Sequence, residues 1–219
     1  MALIPGDVIS DSIAFTGIYE LRHSRRLVNI ARRGGMMIDI GANLGYFSLL
    51  WAASARGNRC LAFEASPRVA ELLSRNVARN SLASQVQVFP QAVGKEAGSQ
   101  SFDVGPEEQS GWGGLVATPT GNTITVNVVK VGDVVQPIDD IALLKIDVEG
   151  ADTWALMGCE RLLSARRIKQ VWFEQNKPRM RRLGIGESEA EKFLQSCGYK
   201  VQPESDPSGE LVDWLAFPA

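Results

Sequence analysis

At 219 residues the chain suits one α/β domain, and 45% hydrophobic content is ample for a packed core. A net charge of −2 argues against a general nucleic-acid binder, which needs a basic surface. Three scattered cysteines, Cys60, Cys159 and Cys197, form neither a disulfide framework nor a metal spacing; with no signal peptide and no membrane-length apolar run, they read as buried thiols of a cytoplasmic protein that meets no membrane.

Residues 18–33, IYELRHSRRLVNIARR, space Ile18, Leu21, Leu27, Val28 and Ala31 as an amphipathic helix ended by Gly34-Gly35. Its arginines read as a solvated face. With the mixed residues before it, this makes 1–35 a helical cap segment ahead of a domain at 36–219. The apolar run Met36-Met37-Ile38 then leads through Asp39-Ile40 into the loop Gly41-Ala42-Asn43-Leu44-Gly45, and a helix pattern starts at Tyr46. This is strand, glycine turn, helix. Such a turn presents backbone N–H groups to a ligand, and Gly41 and Gly45 remove side chains that would block it.

A dinucleotide loop reads G-x-G-x-x-G, but here Asn43 stands at the middle glycine. Asp39 would repel a pyrophosphate and suit an ammonium group. Glu64 ends the next strand, residues 59–64, where an acid accepts hydrogen bonds from a ribose diol. Ribose with an amino-acid cation and no phosphate describes S-adenosylmethionine.

Ser66-Pro67 opens a helix running to about Arg79, with Asn76 and Asn80 four apart on one side. Val86 to Phe89 alternates as a strand, closed by Gln91-Ala92-Val93-Gly94. The β-α-β-α-β order so far is half of a doubly wound sheet. Residues 99–104 and 123–131 look like extra strands. The glycine-rich stretch 105–122 between them has no apolar periodicity, as functional or disordered loops do. Ile141 to Ile146 is a nearly pure apolar run, as in a strand buried on both faces, and it delivers Asp147 to the ligand end of the sheet. A helix through Leu156 follows, then a strand at 168–173 ending in Glu174-Gln175-Asn176. After it come a basic loop (Lys177 to Gly186), a helix at 187–196, and a closing hairpin of 199–202 with 211–217.

Four segments carry a resemblance: MMIDIGANLGYFSLL at 36–50, AFEASP at 62–67, Asn76 with Asn80, and LKIDVEGA at 144–151. They resemble class I methyltransferases and, most specifically through K-I-D-V-E-G-A, the FkbM family, over roughly residues 17–175. The resemblance implies an α/β, Rossmann-like fold: a seven-stranded sheet in the order 3-2-1-4-5-7-6, strand 7 antiparallel, helices on both faces. It implies S-adenosylmethionine as cofactor, with Asp39, Gly41, Asn43, Gly45, Glu64 and Asp147 around it. Ala92 would lie at the adenine, and Ser110-Gly111-Trp112 would fold over the cofactor with Trp112 as the apolar contact. Tyr19-Glu20 resembles an aromatic–Glu pair of the family.

For the chemistry, Asp147 could bind the acceptor, the cofactor's amino group or a metal. Glu149 and Glu174 would open into the same cleft, and three converging acids raise one another's pKa, as tuning a general base requires. The same three could hold Mg²⁺, although no motif compels a metal. His23, the only histidine, is a candidate base if the first helix covers the cleft. Lys145, inside the apolar strand, is expected to pair with an acid. The basic run 177–182 could bind an anionic group of the substrate or simply be solvated. The acceptor is expected to be a small molecule, by resemblance a sugar or specialised-metabolite hydroxyl, in a pocket built from the N-terminal helix, the glycine-rich loop and the 177–186 loop. A homodimer could supply a lid. An N-methyltransferase of the same fold is the nearest alternative, although no Asn-Pro-Pro-aromatic or Asp-Pro-Pro-aromatic tetrapeptide follows Ile146. A nicotinamide-dependent oxidoreductase and a non-catalytic cofactor-binding module are the others.

Overall fold

In the computed structural model, which describes residues 1–134 and 140–219, two helices come first, α1 (Val8–Thr16) and α2 (Leu21–Ala31). Strands and helices then alternate: β1 (Met36–Ile40), α3 (Tyr46–Ser54), β2 (Arg59–Phe63), α4 (Pro67–Arg79) and β3 (Val86–Phe89). Next come β4 (Ala92–Val93), β5 (Gly98–Asp103), β6 (Gly114–Leu115), β7 (Thr123–Val129) and α5 (Val131–Val134). The chain closes with β8 (Ile141–Ile146), α6 (Asp152–Gly158), α7 (Glu160–Ser164), β9 (Val171–Asn176), α8 (Lys177–Leu183), α9 (Glu189–Ser196), β10 (Tyr199–Pro203) and β11 (Leu211–Pro218).

The larger sheet has seven strands in the order β3-β2-β1-β8-β9-β11-β10, with β11 antiparallel to both neighbours and the other pairs parallel. This is the expected order with its antiparallel strand. The expectation of one sheet needs correction, because the extra strands do not join it. β5 and β7 pair antiparallel with each other, and β4 and β6 add to their edges to make a separate four-stranded sheet. Alternating burial along β7 is the mark of an antiparallel sheet with one wet face.

Two further corrections concern helices. Residues 1–17 hold α1, started by Asp7, whose side chain accepts from Ser10 N, and stopped at Gly17. The basic run is α8 rather than a loop: Asn176 caps it, Pro178 sits in its first turn, and Gly184 ends it with φ 73°.

Side-chain alternation sorts the larger sheet into two faces. Ile38, Ile40, Phe63, Leu144 and Ile146 pack under α6, α7 and α9. Met37, Cys60, Ala62, Leu143 and Trp172 pack under α2, α3 and α4. On that second face the register aligns Asp39, Lys145, Trp172 and Leu215 across four strands. Asp213 lies opposite Glu174 beside that row. All three cysteines are free and buried. Among the described residues no helix is long and apolar enough to cross a membrane.

Candidate active site

A cleft opens where β1, β2 and β8 end, and Gly41 to Leu44, Glu64 and Asp147 all line it. The loop after β1 is laced to its neighbours. Gly41 N and Ala42 N both donate to Phe63 O at 2.9 Å, and Asp147 N donates to Ile40 O at 3.0 Å. Glu64, only 8% exposed, accepts from Asn43 N and from Ser66 N, each at 2.9 Å. Burial pushes its carboxyl up to about 7 against those two bonds. A carboxylate has about four lone-pair sites, so two remain for a ligand hydroxyl. Ala92 lies in the wall with Gln91 and Val93, and Gly45 starts α3 with φ 90°. Glu20, Asn43 and Glu149 are non-glycine residues in left-handed backbone (φ 44°, 51° and 56°), and all three line the cleft. Such outliers collect at functional sites.

Asp39 is placed differently from the expectation. It is fully buried and absent from the cleft wall, because alternation turns it under α3, where Ser48 Oγ donates to Oδ2 at 2.6 Å. Lys145 Nζ lies 3.6 Å from its Oδ1 and 3.5 Å from Asp147 Oδ2. Burial would discharge that lysine, but Asp147, Asp39 and Glu20 outweigh it and its pKa is raised. Asp39 therefore reaches the site through Lys145.

Two parts of the chain close over the cleft. Ser110 lines it but donates its N and Oγ to the buried Asp7 Oδ1 at 2.9 and 3.0 Å. Ile9 of α1 lines the cleft as well, so the N-terminal segment and the glycine-rich stretch meet over it. Asn76 binds Ala2 through both its amide atoms and donates to Leu44 O at 2.9 Å, tying the N-terminus to the glycine loop. Asn80 donates to Asn76 O at the end of α4. Trp112 does not reach the cleft. The residue is 54% exposed and borders a separate surface groove, and Gly111 and Gly113 form the cleft wall there.

A second cavity adjoins the first, and Glu20, Phe47, Lys145, Asp147 and Glu174 line both. Its remaining walls include His23 of α2, Trp172, Asp213 of β11 and Glu204. The predicted acids thus divide. Asp147 and Glu174 border both cavities, whereas Glu149 borders the first alone, held by Asn176 Nδ2 at 3.1 Å and Arg179 Nε at 3.4 Å. His23 borders only the second, with Nδ1 3.2 Å from Glu20 Oε2, a bond that raises its pKa. Burial raises the Glu149 carboxyl as well. Among the described residues no group of three His, Cys, Asp or Glu is placed to hold a metal ion.

Burial, with help from Asp147, Asp152, Glu149 and Asp213, pushes Glu174 up to about 9. The sign of the stability effect follows. Between the ordinary 4.5 and about 9, folded Glu174 keeps a proton that the unfolded chain has released, so stability falls as pH rises. Glu174→Gln is expected to melt higher than the wild type at pH 8, by about 1–3 kcal/mol, with the gap closing toward pH 4.5. Thermal melts across that range check it, and an unchanged gap would sink the assignment.

Sequence reading missed the Asp7 clasp and the wall formed by Trp172, Glu204 and Asp213. A signal existed for one of them: Asp213 interrupts an otherwise apolar strand at a half-buried position. Asp7 offered only an N-cap pattern.

The Methyltransferase FkbM domain profile matches residues 39–201. The 31-O-demethyl-FK506 methyltransferase FkbM of Streptomyces tacrolimicus is 31% identical over 224 residues, covering 88% of this chain and 82% of that protein. Methyltransferase sdnD of Sordaria araneosa is 27% identical over 161 residues, covering 57% of this chain and 60% of that protein. The crystal structure of a methyltransferase FkbM from Methylobacillus flagellatus KT shares the fold with a TM-score of 0.58 at 18% identity; the match covers 84% of this chain and 43% of that one. The profile runs from the acid before the glycine loop into the closing hairpin, and with the identity to the Streptomyces enzyme it shows that this chain belongs to the FkbM family of methyltransferases.

Proposed function

We propose that the protein transfers the methyl group of S-adenosylmethionine to a hydroxyl of a small molecule, a sugar or specialised metabolite. The observation that carries the donor is the charge of the first cleft. Glu20, Glu64, Asp147, Glu149 and Glu174 line it with Lys145, and Glu174 holds a proton at neutral pH that a bound cation would release. A sulfonium with an ammonium group fits such a wall, and a dinucleotide pyrophosphate is repelled by it. Family membership supports the donor, and the relative at 31% identity is named for an O-demethyl substrate.

The chain's own residues then have distinct parts. Glu64 would accept from the ribose diol, and the acids would favour the donor's cations. The second cavity would hold the acceptor across the shared wall, in line with the methyl carbon. Alignment of this kind accounts for much of the rate in a displacement. The oxygen–methyl bond forms as the carbon–sulfur bond breaks, sulfur leaves as a neutral thioether, and a carboxylate takes the hydroxyl proton.

Calorimetric titration with S-adenosylhomocysteine tests the donor. Micromolar binding is expected for the wild type and a loss of about 10- to 100-fold in Glu64→Ala, the value of hydrogen bonds to a charged group. Equal binding by the variant, or wild-type binding of a nicotinamide nucleotide in place of S-adenosylhomocysteine, would overturn it.

A further inference from the structure

The two segments that meet over the first cleft are fastened by polar bonds and by almost no apolar packing. Of residues 1–18 only Asp7 and Ser10 are buried, and of residues 105–113 none is. Phe15, the largest side chain of α1, is 87% exposed. Asn76 moors the first segment at Ala2. Segments with few buried apolar contacts open locally at low cost, and active-site lids are drawn from them.

The bonds between the segments converge on Asp7. Its Oδ2 accepts from Ser10 N at 2.9 Å and Ser10 Oγ at 2.7 Å, while its Oδ1 accepts from Ser110 N and Oγ across the gap. Beside it, Gln109 donates to Gly6 O at 2.9 Å and accepts from Val8 N at 3.4 Å. Ile9, Ser110 and Gly111 line the cleft, but Asp7 and Gln109 do not. The second cavity has no residue of either segment in its walls.

We propose that residues 1–18 and 105–113 form a strap over the donor, latched by Asp7, that opens to admit S-adenosylmethionine and to release S-adenosylhomocysteine. The inference rests on the reading of the first cleft as the methyl-donor site. Asp7 has no place in the cleft wall, so it acts on the donor only through the strap. The latch joins two parts of the chain and needs no ligand contact, so it restrains entry and exit alike. Its loss raises the association and dissociation rates together and leaves their ratio nearly unchanged. A residue that simply held the donor would lower affinity instead.

Surface plasmon resonance on the immobilised protein gives both rate constants for S-adenosylhomocysteine, with wild-type binding recorded first. Asp7→Ala is expected to raise the two constants by about 10-fold each, the effect of removing about 1.4 kcal/mol of restraint, and to leave Kd within about 3-fold. Gln109→Ala is expected to raise both by about 3-fold, and it carries the test should Asp7→Ala fold poorly. Hydrogen exchange is expected to quicken in residues 1–18 and 105–113 of Asp7→Ala and to match the wild type in β1 and β2, which separates an opened strap from a damaged fold. Unchanged rates in both variants, a dissociation rate that rises alone with a matching loss of affinity, or unchanged exchange in the two segments would overturn the inference while leaving the donor site standing. Failure of S-adenosylhomocysteine to bind the wild type would overturn the donor reading and this inference with it.

Discussion

Gly41→Ala is expected to lose measurable S-adenosylhomocysteine binding and to cost about 3–5 kcal/mol of stability, the range of severe core disruptions. Gly41 has φ 78°, and a Cβ there would overlap the carbonyl oxygen of Asp147, with Val148 Cγ1 only 3.2 Å away. The obstacle is backbone, so no rotamer change removes it. Nor can the strands part, because Gly41 N, Ala42 N and Asp147 N are all bonded across the β2-β1-β8 junction. The substitution would push apart the two segments that form the floor of the cleft. Gly45→Ala is the control. It has a similar φ of 90°, but its Cβ would overlap only the Cδ1 methyl of Leu73, the end of a side chain rather than backbone. That variant should cost about 1–2 kcal/mol, the left-handed backbone penalty, and still bind. Denaturant unfolding and calorimetry on both variants decide it; equal losses at the two positions would refute the close-approach argument.

The same glycine shows why the core of the fold was legible. Patterns acting over a few residues (the apolar runs of β1 and β8, Pro67 after Ser66, the Gly41-to-Gly45 turn) placed the central strands and the loop between them. The order of the larger sheet came through the resemblance, and its central strands pair parallel with a helix in each crossover from β1 to β2 and from β2 to β3. The separate four-stranded sheet was not legible, because β5 and β7 pair with each other across the glycine-rich stretch, and the edge strands β4 and β6 are two residues long with no periodicity to read.

Within the site, strand alternation decided what could be foreseen. Asp39 was expected at the ligand because it stands beside the glycine loop, yet its place in β1 turns it to the α3 side. Trp112 was expected over the cofactor, but the approach of Gly111 and Gly113 to the cleft leaves its ring outside. The second cavity depends on β9 and β11 lying side by side, a pairing between residues nearly forty apart in sequence. The N-terminal helix did contribute a wall, through Glu20 and His23. The remaining walls came from Phe47, the end of β8, β9 and the closing segment from Glu204 to Leu215 rather than the basic stretch.

Asp147→Asn is expected to slow methyl transfer by about 10²- to 10⁴-fold, the usual contribution of a positioned proton acceptor, and to leave S-adenosylhomocysteine affinity within about 3-fold. The other acids are poorly suited to take the proton. Glu174, pushed up to about 9, already carries one at neutral pH, and Glu149 is occupied by Arg179 and Asn176 on the first cleft alone. Asp147 borders both cavities, with Lys145 Nζ 3.5 Å from its Oδ2. The amide keeps the shape and removes the acceptor. Lys145 retains Asp39, so the fold is expected to survive. Turnover is followed as release of S-adenosylhomocysteine, with a hydroxyl acceptor found by screening sugars and specialised-metabolite alcohols. A loss confined to kcat makes Asp147 the base. A raised S-adenosylhomocysteine dissociation constant with kcat preserved would make it an anchor for the donor's ammonium instead, and the proton would then leave through Glu20, which lines both cavities, toward His23 in the second.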